Sequence, residues 1–301
     1  MLPALAALLA AVATAGSGWQ FAAIDEGSVP PAVLHAAAGV EIAVIDTGAD
    51  LTVPEIAARR PLAYDVQTRT ADVRDANGHG TFVTSIAAAY SGDARLLVVK
   101  AGSASGAFTD DGEAVAIHYA VAQGARIINL SIGGPTTSNV ERAAIRFAVA
   151  HGVLVVTAAG NDHAMGNPVQ YPAALLQPVG SNGSAGAGLV VAAASAGARA
   201  PFSDSGSWIS LAAPGVDVYG AFRAGRYGYG SGTSFAAAEV SGAAALVWAA
   251  DPALTARQVA RVLEMSASGH GTWTPDLGFG VVDVAAAVGS AQQLAELRAG
   301  P

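Results

Sequence analysis

Residues Glu41–Asp46 read EIAVID, and residues Arg95–Lys100 read RLLVVK. Both are short runs of apolar and β-branched residues, the pattern of a strand that is buried on both faces of a sheet. Similar runs follow at Arg126–Leu130, Val153–Thr157 and Leu189–Ala193. The sequence therefore predicts a set of buried strands that form the centre of the fold.

Helical segments separate these strands. Their termini carry residues that favour helix ends, such as the capping-box pair Ser138 and Glu141 and the glycines Gly124 and Gly152. The predicted helices are His79–Ala89, Asp110–Gln123, Val140–His151, Thr233–Ala250 and a helix capped by Thr255 and Gln258 that runs through Met265. Apolar strands alternating with helices predict an α/β fold, a doubly wound, mainly parallel sheet flanked by helices. Active sites in such sheets lie at the carboxyl ends of the strands.

Composition excludes several functions. Of 301 residues, 52% are hydrophobic and 13% charged, the balance of a globular chain and not of a disordered one. The net charge of −8 and scattered basic residues argue against a nucleic-acid partner. The chain has no cysteine, which excludes disulfides, zinc–cysteine sites and thiol nucleophiles.

The N-terminus is apolar, reading MLPALAALLAAVATAG over residues 1–16. This run is short for a membrane span, which needs about 20 residues, but it fits the apolar region of a signal peptide. The run begins without the Lys or Arg that a signal peptide usually has ahead of its apolar region, so an alanine-rich helix of a cytoplasmic protein or a misassigned start codon is the alternative. We expect export, to the periplasm or outside the cell, and no later segment is predicted to span a membrane.

Three segments, each at a strand end or a helix start, carry the candidate chemistry. Asp46 ends the first strand in AVIDTG, His79 lies between glycines in NGHGT, and Ser234 lies in GSGTSF before the alanine-rich helix. Alone, each has an ordinary interpretation: a turn aspartate, a polar residue at a helix start, and a helix N-cap. Together, in the order Asp, His, Ser, they indicate a serine hydrolase.

In these motifs the sequence resembles the subtilisin-like (subtilase) family of serine proteases. NLSIGG at 129–134 and AAGN at 158–161 extend the resemblance, which covers roughly residues 40–287. The resemblance implies that Ser234 is the nucleophile, His79 the general base, Asp46 its orienting carboxylate and Asn161 an oxyanion-hole donor.

The resemblance also implies where a peptide substrate would bind. Ser131, Ile132, Gly133 and Gly134 would form one wall of the cleft, and Gly106, Ala107 and Phe108 the opposite edge. The substrate would add to these segments as a β-strand. Protein or peptide substrates are thus the expected partners of a chain that we expect to be monomeric.

Some positions depart from the family pattern. Phe82 stands where the family usually has a second histidine, and Ala238 and Glu239 replace a proline and, often, a histidine. We expect activity to survive, because none of these residues belongs to the proton-transfer chain. No cofactor is expected. Asp110, Asp111 and Glu113 could suggest calcium, but acids are also common in the first turn of a helix.

We divide the chain into a leader at 1–16, a short N-terminal arm at 17–39, a peptidase domain at 40–290 and a C-terminal tail at 291–301. The arm is too short for an inhibitory propeptide, so we expect it to run extended over the domain, which would fold without one. A catalytically weak binding protein on the same fold is the main alternative function. A serine esterase of the α/β-hydrolase type is disfavoured, because it needs the order Ser, Asp, His.

Overall fold

A mainly parallel sheet forms the centre of the protein in a computed structural model, which describes residues 19–300. Within these residues the strand order is β2-β3-β1-β4-β5-β6, with β8 parallel to β6 and the short β7 antiparallel to it. The strands are β1 (Glu41–Asp46), β2 (Leu62–Asp65), β3 (Arg95–Lys100), β4 (Ile127–Leu130), β5 (Leu154–Ala158), β6 (Leu189–Ser195), β7 (Ala198–Arg199) and β8 (Leu211–Pro214). A separate antiparallel hairpin pairs β9 (Val218–Phe222) with β10 (Arg226–Gly230).

Helices cover both faces of the sheet. They are α1 (Trp19–Ala23), α2 (Pro31–Ala36), α3 (Pro54–Ala57), α4 (His79–Tyr90), α5 (Asp110–Ala122), α6 (Asn139–Ala150), α7 (Ala173–Leu176), α8 (Thr233–Ala250), α9 (Ala256–Ser266) and α10 (Val284–Ala299). Because side chains alternate along a strand, Ile42 and Val44 of β1 face the core under α4 and α8, while Ala43 and Ile45 face the core under α5 and α6. The result is the predicted three-layer α/β fold.

Helix α8 runs through the larger core, and its alanines allow close approach of its neighbours. A Cβ at Gly242 would lie 2.7 Å from the Cβ of Tyr90 on α4, so these two helices pack with almost no side chain between them. By length and composition α8 could cross a membrane, but 89% of it is buried inside the fold. It is a core helix.

The five predicted strands and five predicted helices are present, with ends shifted by at most two residues, and the capping box of α9 is formed by Thr255 and Gln258. Strand β2 and helix α10 were not predicted. Helix α10 continues to Ala299, so the boundary placed at residue 290 falls inside it. The leader at 1–16 lies outside the described residues.

The arm was predicted to be extended, and its described part is instead mostly helical. It consists of α1, α2 and two short 3₁₀ segments, Glu26–Ser28 and Ala37–Gly39. Pro31 occupies the first turn of α2, where its missing N–H costs no hydrogen bond. Buried Ile24 and Val33 then fix these short helices against the core.

Candidate active site

The parallel sheet brings three candidate residues to one edge. Asp46 is the last residue of β1, Ser131 directly follows β4, and Asn161 lies shortly after β5. Because β1, β4 and β5 are adjacent and parallel, their carboxyl ends meet at the same edge of the sheet. The candidate site lies there, as expected for this fold class.

Asp46 and His79 form a direct pair. Oδ1 of Asp46, which is 1% exposed, lies 2.8 Å from Nδ1 of His79 and also accepts the backbone N–H of Thr47 at 2.7 Å. This contact fixes the ring and leaves Nε2 directed away from the carboxylate. Burial lowers the pKa of His79, but the charge and hydrogen bond of Asp46 and the charge of Asp75 outweigh it, so the pKa is raised above 6.5.

A second carboxylate, Asp75, holds the histidine loop. Its oxygens accept hydrogen bonds from the backbone of Gly78 at 2.8 Å, the hydroxyl of Thr81 at 2.7 Å and the hydroxyl of Thr47 at 3.0 Å. Thr47 in turn accepts the backbone N–H of Gly80 at 2.9 Å. Asp75 therefore ties the start of α4 to the end of β1. This role of Asp75, Thr47 and Thr81 was not predicted from the sequence.

Glycine is required at position 80. A Cβ there would lie 2.2 Å from the carbonyl oxygen of Gly48 and 3.0 Å from Oδ1 of Asp46. The backbone of α4 therefore approaches the aspartate turn more closely than any other residue would allow. The glycine next to His79 in the GHGT motif is explained by this approach.

Ser234 lies in the first turn of α8 and is 7% exposed. Its Oγ donates to the carbonyl oxygen of Ser131 at 3.3 Å, and no hydrogen bond joins it to His79 in the part of the chain that the structure describes. Of the two hydrogen bonds expected to join Asp46, His79 and Ser234, the Asp46–His79 bond is formed and the His79–Ser234 bond is not. A serine hydroxyl changes direction by rotating about one bond between staggered positions, and catalytic hydrogen bonds are often loose without substrate.

A buried polar chain connects α8 to β4 beneath this serine. Ser131 Oγ donates to the carbonyl oxygen of Ser234 at 2.8 Å, Asn129 donates to Ser131 Oγ at 2.9 Å, and Ser241 donates to Asn129 Oδ1 at 3.0 Å. The start of α8 is therefore held against the segment that the sequence analysis assigned to substrate binding.

Asn161 is oriented by Thr233. Its Oδ1 accepts the backbone N–H of Thr233 at 3.0 Å and lies 3.1 Å from the Thr233 hydroxyl, so its oxygen is occupied. Its Nδ2 hydrogens meet no protein acceptor within residues 19–300, and the residue is exposed. Because Thr233 directly precedes Ser234, these contacts hold the Asn161 side chain beside the start of α8. Thr233 is a second positioning residue, and its role was not predicted from the sequence.

Most of the predicted substrate-binding residues line a cleft of about 240 Å³. His79, Gly106, Phe108, Ser131, Ile132 and Gly133 line it together with Thr47 and Asn77. Ala107 and Gly134 do not line it. Ala107 is exposed and its carbonyl closes a turn with Ser103, while Gly134 pairs with Tyr171 through two backbone hydrogen bonds.

The segment at 131–133 directly follows β4 and belongs to no strand. Among the described residues, the backbone N–H groups of Ile132 and Gly133 make no backbone hydrogen bond. This edge is open to pair with an added peptide strand.

The three residues that depart from the family pattern, Phe82, Ala238 and Glu239, lie in the core. Phe82 is 1% exposed and packs its ring 4.4 Å from that of Phe235 and 4.8 Å from that of Phe222. Ala238 and Glu239 are fully buried in α8, and neither carboxylate oxygen of Glu239 has a hydrogen-bond partner among residues 19–300.

Three acidic residues lie at the start of α5. Asp110 and Asp111 lie in its first turn behind the N-cap Thr109, while Glu113 is buried and its pKa is raised to about 8, first by burial and then by the charges of Glu141 and Asp110. Over residues 19–300, no group of three or more His, Asp or Glu side chains is arranged to hold a metal ion.

The three-layer fold, with Asp46, His79 and Ser234 at the edge formed by the carboxyl ends of the strands, places this protein in the class of subtilisin-like α/β proteins. The family model described as the subtilase family matches residues 37–282. The chain therefore belongs to the subtilase family.

Relatives and a solved structure agree with this assignment. A thermophilic serine proteinase from Bacillus sp. (strain AK1) is 35% identical over 255 residues, which are 80% of this chain and 60% of the relative. A subtilisin from Bacillus pumilus is 33% identical over 268 residues, 84% of this chain and 92% of the relative. The crystal structure of a cold adapted subtilisin-like serine proteinase superposes with a TM-score of 0.70 at 29% identity, covering 82% of this chain and 89% of the other.

Proposed function

We propose that this protein is a serine endopeptidase that hydrolyses peptide bonds through an acyl-enzyme intermediate. The observation that carries the proposal is the Asp46–His79 pair at 2.8 Å, placed at the sheet edge where the N-terminus of α8 presents Ser234. The relatives, which are subtilisins and serine proteinases by name, support the same reaction class.

In the proposed reaction, the Oγ of Ser234 rotates from the Ser131 carbonyl towards Nε2 of His79 and attacks the scissile carbonyl carbon. His79 accepts the Oγ proton and then donates it to the leaving amine. Asp46 keeps the proton on Nδ1 and stabilises the imidazolium that forms. Water repeats the sequence on the acyl-enzyme and releases the second product.

Negative charge on the substrate oxygen would be stabilised by Asn161 and by the start of α8. The Asn161 oxygen is occupied by Thr233, so its amide N–H is the group left to face the developing oxyanion. The backbone N–H of Ser234 lies in the first turn of α8, where helix N–H groups are unpaired and the helix dipole favours an anion. Stabilisation of the transition state by preorganised donors of this kind is usually the largest single contribution to the rate enhancement.

The substrate class is extended polypeptide. The open backbone edge at Ile132 and Gly133, with Gly106 and Phe108 across the cleft, supports pairing with a peptide main chain and contact with alternate side chains. We propose that the protein acts outside the cell or in the periplasm. N-terminal sequencing of the secreted protein tests this, because an intact Met1 would contradict export with cleavage.

Labelling with a fluorophosphonate probe and cleavage of casein test the proposed reaction. We expect both in the parent chain and neither in the Ser234→Ala variant. Ser231→Ala is the matched control, because Ser231 is an exposed serine in the same loop and should leave both unchanged. A folded parent chain that neither reacts with the probe nor cleaves casein would contradict the proposal and favour a binding protein on this fold.

A further inference from the structure

A second cavity, remote from the catalytic residues, lies between the N-terminal arm, helices α3 and α4 and the β9–β10 hairpin. Its volume is about 120 Å³, and none of Asp46, His79, Asn161 and Ser234 lines it. We call it the arm pocket. A cavity of this order is large enough for a ligand about the size of one six-membered ring.

The walls of the arm pocket are apolar and partly aromatic. Phe21 and Leu34 come from the arm, Ile86 from α4, and Tyr219 and Tyr227 from the hairpin. The two tyrosine rings lie 5.9 Å apart and nearly parallel. Aromatic faces attract organic cations through the negative charge on the ring face.

Two buried carboxylates face this apolar space. Glu26 is 9% exposed and Glu55 is 8% exposed, and both line the pocket. The hydroxyl of Tyr227 donates to Oε2 of Glu55 at 2.6 Å. The side chain of Glu26 receives no hydrogen bond from any residue that the structure describes, and within the same residues neither glutamate has a cationic partner.

The arginine in the pocket is already paired. Arg59 donates through Nη1 to Asp93 at 3.1 Å and through Nη2 to the carbonyl oxygen of Ala88 at 2.9 Å, and His35 contacts the same aspartate at 2.7 Å. Asp93 therefore neutralises Arg59, and the negative charge of Glu26 and Glu55 is left without a counterion in the wall.

We propose that the arm pocket binds a small organic ammonium ion, with its alkyl or aryl body on the aromatic wall and its ammonium group at the carboxylates that line the pocket. Burial raises the pKa of both carboxyls, because a carboxylate removed from water loses its solvation. A bound ammonium ion would offset that cost and supply the donors that Glu26 lacks. A neutral ligand of the same shape would do neither.

The test compares benzylamine with benzyl alcohol, which has the same ring and a neutral head group. Both are titrated into the full chain carrying Ser234→Ala, which prevents self-digestion and changes no residue of the pocket. Calorimetry gives the affinity, and backbone amide NMR locates the site. We expect saturable binding of benzylamine with shifts at Ala88, Ala89 and Gly220, and binding of benzyl alcohol weaker by roughly tenfold or more.

Variants of the two glutamates then test whether their carboxylates bind the ammonium group. Glu26→Gln and Glu55→Gln should each weaken benzylamine binding roughly tenfold. Glu264→Gln is the matched control, because Glu264 is also a buried glutamate but lies on α9, outside the pocket, and it should leave binding unchanged.

Several results would overturn the proposal. They are equal affinity for benzylamine and benzyl alcohol, shifts confined to the catalytic cleft, binding that persists in the double glutamine variant, and displacement of benzylamine by calcium chloride. The comparison of the two ligands needs only the Ser234→Ala chain, so it decides the question even if a glutamine variant fails to fold.

Discussion

At the scale of single residues, the orientation of Asn161 depends on Thr233, which occupies the amide oxygen and leaves the amide N–H group without an acceptor among residues 19–300. Replacing Asn161 with Ala should lower kcat by about 10²–10³, the size of effect known for an oxyanion-hole donor in a subtilisin, with little change in KM. Steady-state kinetics on a peptide substrate measures both constants.

In the same experiment, Thr233→Val tests the orientation of the Asn161 amide separately from the hydrogen bond that the amide donates. It removes the hydroxyl but keeps the backbone N–H and the side-chain shape, so we expect a smaller fall in kcat than for Asn161→Ala. Thr233→Ser, which keeps the hydroxyl, should restore the parent value. A kcat within about twofold of the parent in Asn161→Ala would contradict the assigned role.

Asp75 acts on His79 through charge as well as through the loop. Its negative charge contributes to the raised pKa of His79, and the imidazole must be neutral to accept the serine proton. Asp75→Asn should therefore lower that pKa and move the acid limb of the kcat/KM profile to lower pH.

The pH profile also distinguishes this effect from a structural one. A loosened loop would lower the plateau without moving the limb. Asp72→Asn is the control, since Asp72 lies in the same loop but is exposed and paired with Arg74, and it should leave the profile in place. An unmoved acid limb in Asp75→Asn would show that Asp75 has only a structural role.

At the scale of secondary-structure elements, helix α8 places a charged residue type in the core. Burial raises the pKa of Glu239 well above the ordinary value of 4.5, and Tyr90 on α4 faces it. Because the folded state holds this proton more tightly than the unfolded chain, its contribution to stability is complete below about pH 4.5 and declines as the pH rises. The decline is about 1.4 kcal/mol per pH unit until the pKa of the folded state is reached.

Glu239→Gln should therefore raise the free energy of unfolding at neutral pH and make it less dependent on pH above 4.5. Urea denaturation at several pH values measures both. Glu296→Gln, on the exposed face of α10, is the matched control and should change neither. Equal pH dependence in the parent and the Glu239 variant would contradict the prediction.

At the scale of the whole molecule, the arm closes the edge of the β9–β10 hairpin. The buried side chain of Gln20 donates to the carbonyl oxygen of Tyr219 at 2.9 Å and accepts its N–H at 3.0 Å, as a neighbouring strand would. Ile24 and Val29 add to the core of α4 and α8. The arm is therefore part of the folded domain, although the family model begins only at residue 37.

Removing residues up to 29 should destabilise the fold by several kcal/mol, because two buried aliphatic side chains contribute about 1.5–3 kcal/mol each and the hairpin edge loses its hydrogen bonds. A chain that begins at Trp19 is the reference, and its denaturation midpoint is compared with that of a chain that begins at Pro30. An equal midpoint for the chain that begins at Pro30 would show that the arm only lies on the surface.

The elements that were predicted from sequence share a strong local signal. Strands β1 and β3 are continuous apolar runs, and Thr255 and Gln258 form the capping box that their spacing predicts. Strand β2 was missed because it is short and largely unburied, and its three apolar residues Leu62–Tyr64 are too few to indicate a buried strand. Helix α10 was missed because buried residues occupy only its first half, which leaves little helical periodicity in its polar second half.

The sequence by itself determined the order of buried strands and helices, the fold class and the identity of Asp46, His79 and Ser234 as candidates, because periodicity, capping and motif order are local properties. Only the tertiary structure decided which side chains and backbone groups hold these candidate residues in place. Asp75 tying α4 to β1, Thr233 turning Asn161, and the Ser234 hydroxyl resting on Ser131 all depend on contacts between residues far apart in the chain. The same holds for the arm pocket, since no local sequence pattern predicts that an apolar cavity forms around a glutamate in a helical turn.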